Sequence, residues 1–296
     1  MKRIIWATGA IVVVLVLVIG GIYAVSTSRL TARHEVTPPT LSIPDDPESI
    51  VRGEHLLTLS KCGECHGEDL AGKVIIDEPF LARLSGPNLT PAGPLGSQSD
   101  ADLITAIRYG LSVEGQPLLG MPTAEHFHFS DAELVAMIAA LRALPPVERT
   151  VPPQKVGLLF RALYLAGEIE LVGLEQVDIH GPRPDPVPAE VSLPYGAHLA
   201  RTGGCYSCHG EHLAGGPMAG APPDFPPASN LTPDASGLAE WSEVDFVRSM
   251  RQGIRPDGSS IDPAMPWRYT QAMTDAELSA LWLFLRSVSA APYGQH

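Results

Sequence analysis

The stretch "KCGECHGEDLAG" at residues 61–72 returns as "GCYSCHGEHLAG" at residues 204–215. What surrounds it returns as well. "PNLTPAG" at 87–93 matches "SNLTPDA" at 229–235, and "SDADLITAIRYG" at 99–110 matches "SEVDFVRSMRQG" at 242–253. "GMP" at 120–122 matches "AMP" at 264–266, and "FSDAELVAMIAALRAL" at 129–144 matches "MTDAELSALWLFLRSV" at 273–288. The offset stays between 142 and 144 positions, so the chain holds two copies of one unit. Two copies at so long a period predict two domains, not a solenoid.

Each copy reads as helical. "PESIVRGEHLLTLS" and "YGAHLARTG" lead into the repeated motif as helices. Ser99 with Asp102, and Ser242 with Asp245, have capping-box spacing with Asp in place of Glu. Ser130 with Glu133, and Thr274 with Glu277, open the last helix of each copy in the same way. Leu134, Met137, Ile138 and Leu141 follow at helical spacing, matched by Leu278, Leu281, Trp282 and Leu285. No run alternates as a strand should, so the expected fold class is all-α. Between the copies, residues 146–192 are Pro-rich at both ends around an apolar middle, 157–177. Arg161, Glu168, Glu170 and Glu175 interrupt that middle, which argues against a membrane span and for a short helix packed between the domains.

A Cys-x-x-Cys-His run reads as a c-type haem attachment site. Residues i, i+3 and i+4 share one face of a helical turn. Cys62 and Cys65 can then each bond to a haem vinyl group while His66 brings an imidazole beneath the iron; Cys205, Cys208 and His209 would hold a second haem. The expected cofactors are two covalently bound haem c groups. All four cysteines of the chain fall in these two motifs. A zinc site would have to draw its halves from separate domains. A thioredoxin-like motif needs a βαβ setting that this sequence lacks, and disulfides within each Cys-x-x-Cys would leave both histidines unexplained.

The far side of each iron needs a ligand, and a Met sulfur is the usual one in electron carriers. Met121 lies 55 residues after His66 and Met265 lies 56 after His209, each followed by Pro. These two are the expected sixth ligands. Met137 and Met250 fall at core positions of helices, and Met218 and Met273 have no counterpart in the other copy. His126 and His128 compete with Met121, but no histidine matches them in the second copy. His55 and His198 match each other and are expected to pack on the helix before the haem. His34 and His212 lack supporting context.

On these motifs both halves resemble class I c-type cytochrome domains, over roughly residues 48–144 and 193–290. The second half, "ASNLTPDASGLAEWSEVDFVRSMRQGIRPDGSSIDPAMPWRY", resembles the cytochrome c subunits of bacterial membrane-bound alcohol and sugar dehydrogenases. Those subunits usually carry three haem motifs, and this chain carries two. The resemblance implies that the loops Asn88 to Pro91 and Asn230 to Pro233 pack beside the haems. It places Trp241 at the edge of the second haem, where the first copy has Gln98.

Lys2 and Arg3 precede an uncharged run from Ile4 to Val25, long enough to cross a bilayer with the basic end inside. Ala24-Val25-Ser26 offers a small-x-small cleavage site, but the apolar run exceeds a signal peptide's usual core, and an uncleaved anchor is expected. The expected organisation is an anchor at 1–28, one cytochrome domain at 48–145, a linker at 146–192 and a second domain at 193–290. The haem domains would then lie on the periplasmic side of a bacterial cytoplasmic membrane. A net charge of −13 without a basic cluster excludes nucleic acid as partner. The expected function is single-electron transfer between respiratory or photosynthetic redox protein partners, with subunits of a membrane oxidoreductase complex among the candidates. The alternative is a haem enzyme, such as a dihaem peroxidase or a thiosulfate-oxidising type, with one open iron. A candidate Met in both copies and the lack of a spare Cys weigh against it.

Overall fold

A computed structural model describes residues 2–218, 221–222 and 224–295. It begins with helix α1, Lys2–Leu30, whose apolar window has no protein packed against it and whose length and composition suffice to cross a membrane.

The first domain follows as α2 (Pro47–Leu59), α3 (Cys62–His66), α4 (Asp100–Tyr109), α5 (Thr123–His126) and α6 (Asp131–Ala143). Asp46 starts α2 by accepting from Ser49 N at 2.9 Å, with Pro47 at the first helical position where its missing N–H costs nothing. Ser99 and Ser130 both close capping boxes, with Asp102 and Glu133 accepting from the cap N–H groups at 2.9 and 2.8 Å. The second domain repeats the series as α8 (Leu193–Thr202), α9 (Cys205–His209), α10 (Glu243–Gln252), α11 (Trp267–Thr270) and α12 (Asp275–Ser287), with boxes at Ser242 and Thr274. In each domain the first long helix crosses the last, α2 on α6 and α8 on α12. Leu57, Leu103, Leu134 and Ile138 centre the first core; Leu199, Phe246, Leu278 and Leu285 centre the second.

Two features depart from the sequence reading. The first domain carries a small antiparallel sheet, β1 (Lys73–Glu78), β2 (Ala82–Gly86) and β3 (Lys155–Val156), in that order. Nearly every residue of β1 is exposed, and a register shift between Val74 and Ile76 breaks the period of two, so no alternation was there to read. The sheet is an addition to a helical domain, and the all-α class stands.

The linker helix α7 (Leu158–Ala166) does not lie between the domains. It packs on the C-terminal end of α1 and on the first domain, where Tyr164, Leu171 and Leu174 share a core with Leu30 and Tyr109. Arg161 fastens it, donating to Ser26 Oγ at 2.8 Å and lying 4.9 Å above the Tyr23 ring. The charge that argued against a second span is therefore the group that ties α7 to the first.

The two domains face each other, and although His198 stacks on Tyr195 of its own helix, His55 and His198 both bond across to the other half. The His55 Nε2 reaches the Glu277 carboxylate at 2.8 and 3.0 Å, and the His198 Nε2 reaches Glu133 Oε1 at 2.7 Å. Burial raises both glutamates, but bonds from the histidines and from the Thr274 and Ser130 caps prevail, leaving each below the usual carboxylate range. The hydrogen bond to Glu277 raises His55 against the effect of burial. A raised histidine adds stability below its unfolded value of about 6.5, lost as pH climbs through the folded value. A lowered glutamate adds stability above about 4.3, lost as pH falls through its folded value. The melting-temperature difference between parent and His55→Ala should therefore be largest between about pH 4.3 and 6.5 and shrink on both sides. Melting curves at a series of pH values check this; a constant difference contradicts it.

Candidate haem-binding sites

The two Cys-x-x-Cys-His segments form the short helices α3 and α9, each entered through a left-handed residue, Lys61 at φ 58° and Gly204 at φ 73°. All four thiols are free. Burial pushes Cys62 up to about 12 and Cys205 up to about 11, and it raises Cys65 and Cys208 as well. A redox dithiol needs a thiol of lowered pKa, so neither pair has the electrostatics of an exchange motif. Among the described residues no group of three or more His, Cys, Asp or Glu side chains converges as a metal-ion site.

Each motif histidine is oriented by a backbone carbonyl. His66 Nδ1 donates to Pro87 O at 2.8 Å, and His209 Nδ1 donates to Ser229 O at 2.7 Å. A carbonyl can only accept, so Nδ1 carries the proton and Nε2 keeps its lone pair for a metal. Burial also lowers both imidazoles, which keeps them neutral at neutral pH. These carbonyls belong to the residues just before Asn88 and Asn230. Asn88 Oδ1 accepts from Thr90 N at 2.9 Å while its Nδ2 donates to Val147 O at 2.8 Å. Asn230 does the same with Thr232 N and Ala291 O, at 2.9 and 2.7 Å. The asparagines therefore fix the loop that aims the histidine. The sequence repeat flagged these loops without revealing this task.

In the second domain, Cys205, Cys208, His209 and Met265 line one largely apolar cavity. Leu231 and Trp241 form part of its wall. Two thiols, an imidazole with a free Nε2 and a thioether around one apolar space match the donor set of a covalently held haem. Met218, Met250 and Met273 also reach this cavity. Of these, Met250 and Met273 are buried. Only Met265 has a counterpart on a matching loop of the first domain.

That counterpart is Met121. Its carbonyl accepts from Thr123 N at 2.8 Å, as that of Met265 accepts from Trp267 N at 2.8 Å, so both begin the same turn into α5 and α11. The linker buttresses this loop, with Gly120 N donating to Leu171 O at 2.9 Å. Met137 is fully buried in the first core, whereas His128 is only partly buried, two residues beyond α5. His126 is different: the residue is 3% exposed, its Nδ1 has no partner, and burial drops it to about 4. Thr270, which lines the second domain's cavity, occupies the equivalent position on α11. The first domain thus carries a buried imidazole where its twin has a hydroxyl.

Comparison with known proteins agrees with this geometry. Residues 194–289 match the family model described as cytochrome c, and residues 48–139 match cytochrome c oxidase, cbb3-type, subunit III. The chain is 36% identical over 94 residues to the alcohol dehydrogenase (quinone) cytochrome c subunit of Gluconacetobacter polyoxogenes, covering 30% of this chain and 20% of that protein. It is 32% identical over 105 residues to the gluconate 2-dehydrogenase cytochrome c subunit of Pantoea cypripedii, covering 34% and 24%. With the fructose dehydrogenase cytochrome subunit of Gluconobacter japonicus it shares 28% over 135 residues, 43% and 28% of the two chains. The matches thus span less than a third of each relative's own length. Two stretches matched separately, each with its own Cys-x-x-Cys-His turn and carbonyl-aimed histidine, place this chain among the c-type cytochromes, with two cytochrome c domains in tandem.

Proposed function

We propose that the chain is a membrane-anchored dihaem cytochrome that passes single electrons between redox partners on the outer face of the cytoplasmic membrane. The observation that carries this reading is the shared cavity of His209 and Met265, with Cys205 and Cys208 beside them. An iron held by both His209 and Met265 would have no position left for a substrate, which suits a carrier rather than a peroxidase. Haem c supplies a one-electron couple, and the protein's part is to set its potential by ligand, burial and hydrogen bonding. Cys62, Cys65, His66 and Met121 would serve the first haem; Cys205, Cys208, His209 and Met265 would serve the second. Helix α1, with Lys2 and Arg3 at its start, supports an anchor whose basic end stays in the cytoplasm. The names of the relatives support a dehydrogenase complex as one setting for the partners.

The test is the absorption spectrum of the purified, dithionite-reduced protein before and after addition of carbon monoxide, with the haem-to-protein ratio measured alongside. Two haems per chain and an unchanged spectrum are expected. A shift in one haem's share of the spectrum would show an open iron and move the reading to a haem enzyme.

A further inference from the structure

We propose that the two domains dock as a pseudo-twofold pair within one chain, clasped by His55–Glu277 and His198–Glu133, and that this interface is where an electron crosses from haem to haem. The proposal rests on the dihaem reading above and names the route inside it.

The contacts are reciprocal, which is the mark of an isologous interface. His55 and His198 are equivalent positions on α2 and α8, and Glu277 and Glu133 are equivalent positions on α12 and α6. Each histidine crosses to the other domain's glutamate. A second reciprocal pair lies between the attachment turns and the helices that follow the methionines. Ser207, inside the second Cys-x-x-Cys-His, donates to Glu125 on α5. Tyr269 on α11, the counterpart of Glu125, lines one cleft with Glu64 inside the first motif. Both attachment turns therefore abut the opposite domain's methionine loop.

One contact is not duplicated, and it explains a strained residue. Lys61 holds φ 58°, a conformation that Gly204 takes at the matching position without a side chain to strain. The Lys61 ammonium crosses the interface to the Gly203 carbonyl at 2.6 Å, one residue before the second attachment turn's entry. The start of one haem motif thus lies within a lysine's reach of the start of the other. Apolar packing continues the same contact: Leu56 and Leu59 at the end of α2 line the second domain's cavity beside His209 and Met265. Part of the wall of that cavity is therefore supplied by the first domain, from the end of α2 and the two residues that lead into its Cys-x-x-Cys-His turn. Electron transfer falls steeply with separation, so the surface that brings the two attachment turns together is the one the electron would use.

His55, His198, Glu133 and Glu277 act here as positioning residues. The test leaves the glutamates in place, because both also cap helices. The double variant His55→Ala/His198→Ala removes the crossing bonds and keeps the capping boxes. The conservative His55→Gln/His198→Gln retains an amide donor able to reach each carboxylate. In the full-length, half-reduced protein, intramolecular electron exchange between the haems is expected to slow at least tenfold in the alanine pair. It should return toward the parent rate in the glutamine pair, with haem content and carbon monoxide response unchanged. An alanine pair that exchanges at the parent rate overturns the route.

Hydrogen–deuterium exchange separates the docking from the haem reading. Amides in 123–128 and 267–271 should exchange faster in the alanine pair, while α6 and α12 keep their protection. Unchanged exchange there overturns the clasp whatever the haem count. A parent with fewer than two haems overturns the dihaem reading and leaves the exchange result to decide the docking alone.

Discussion

Replacing Met265 with alanine is expected to leave two covalent haems in the chain and to open one of them. Met265 lines the same apolar cavity as His209, so on the proposed ligation its loss would remove the ligand on that side. Half of the reduced spectrum should then shift on adding carbon monoxide, while the half belonging to the first domain stays as it was. The potential of that haem should also fall, by a sizeable part of the ~0.8 V that axial ligands command, because the soft sulfur favours the ferrous state. Met265→His supplies a different test of the same position. It should close the iron again, so the carbon monoxide shift disappears, yet leave the potential below that of the parent. If Met265→Ala leaves both the spectrum and the potential unmoved, another methionine of that cavity, Met218, Met250 or Met273, is the ligand. Met121→Ala should open the first haem in the same way, and here His126 sharpens the readout. A first haem that stays closed in Met121→Ala, but opens once His126→Ala is added, would show the buried imidazole taking the vacated place.

The features that proved legible in the sequence are those whose signal is local. A capping box is a four-residue pattern, and the four read at Ser99, Ser130, Ser242 and Thr274 all form. The two Cys-x-x-Cys-His turns were legible for the same reason, since five residues bring two thiols and an imidazole onto one short helix. What escaped is set by distant partners. The strand β1 has almost no buried residue, so its partner β2, and not its own pattern, makes it a strand. The carbonyls of Pro87 and Ser229 have no side-chain identity to announce that they orient a histidine. His55 and His198 could be paired with each other by the repeat, but their true partners lie 222 and 65 positions away in the other copy. A repeat shows that two positions share a role within their domains. It does not show that each is completed by its twin's domain.

The glycines at positions 53 and 196 carry the second large effect, and here two physical arguments give opposite signs. Both sit in long helices, where helix propensity alone makes alanine more stable than glycine by about 1 kcal/mol. Packing says otherwise. A Cβ on Gly53 would lie 1.9 Å from the Ala136 carbonyl oxygen, and one on Gly196 would lie 2.0 Å from that of Ala280. The obstacle in each case is helix backbone, which cannot swing aside as a side-chain tip can. Forcing a methyl into such a crossing costs at least the ~1–3 kcal/mol typical of overpacking, enough to outweigh the propensity gain. Gly53→Ala should therefore lower the melting point of the first domain by about 4 °C or more, and Gly196→Ala that of the second. Thermal unfolding followed at the haem absorbance measures both, and a raised melting point would show that the helices are not in contact there. The same closeness bears on the clasp. In "GEHL" and "GAHL" the glycine and the crossing histidine stand two residues apart, Gly53 with His55 and Gly196 with His198. The glycine seats the helix tightly on its own domain's last helix, and this fixes where the histidine emerges toward the other domain. A glycine variant that melts early should accordingly also exchange electrons between its haems more slowly at temperatures where it is still folded, because the displaced helix carries its histidine away from the glutamate.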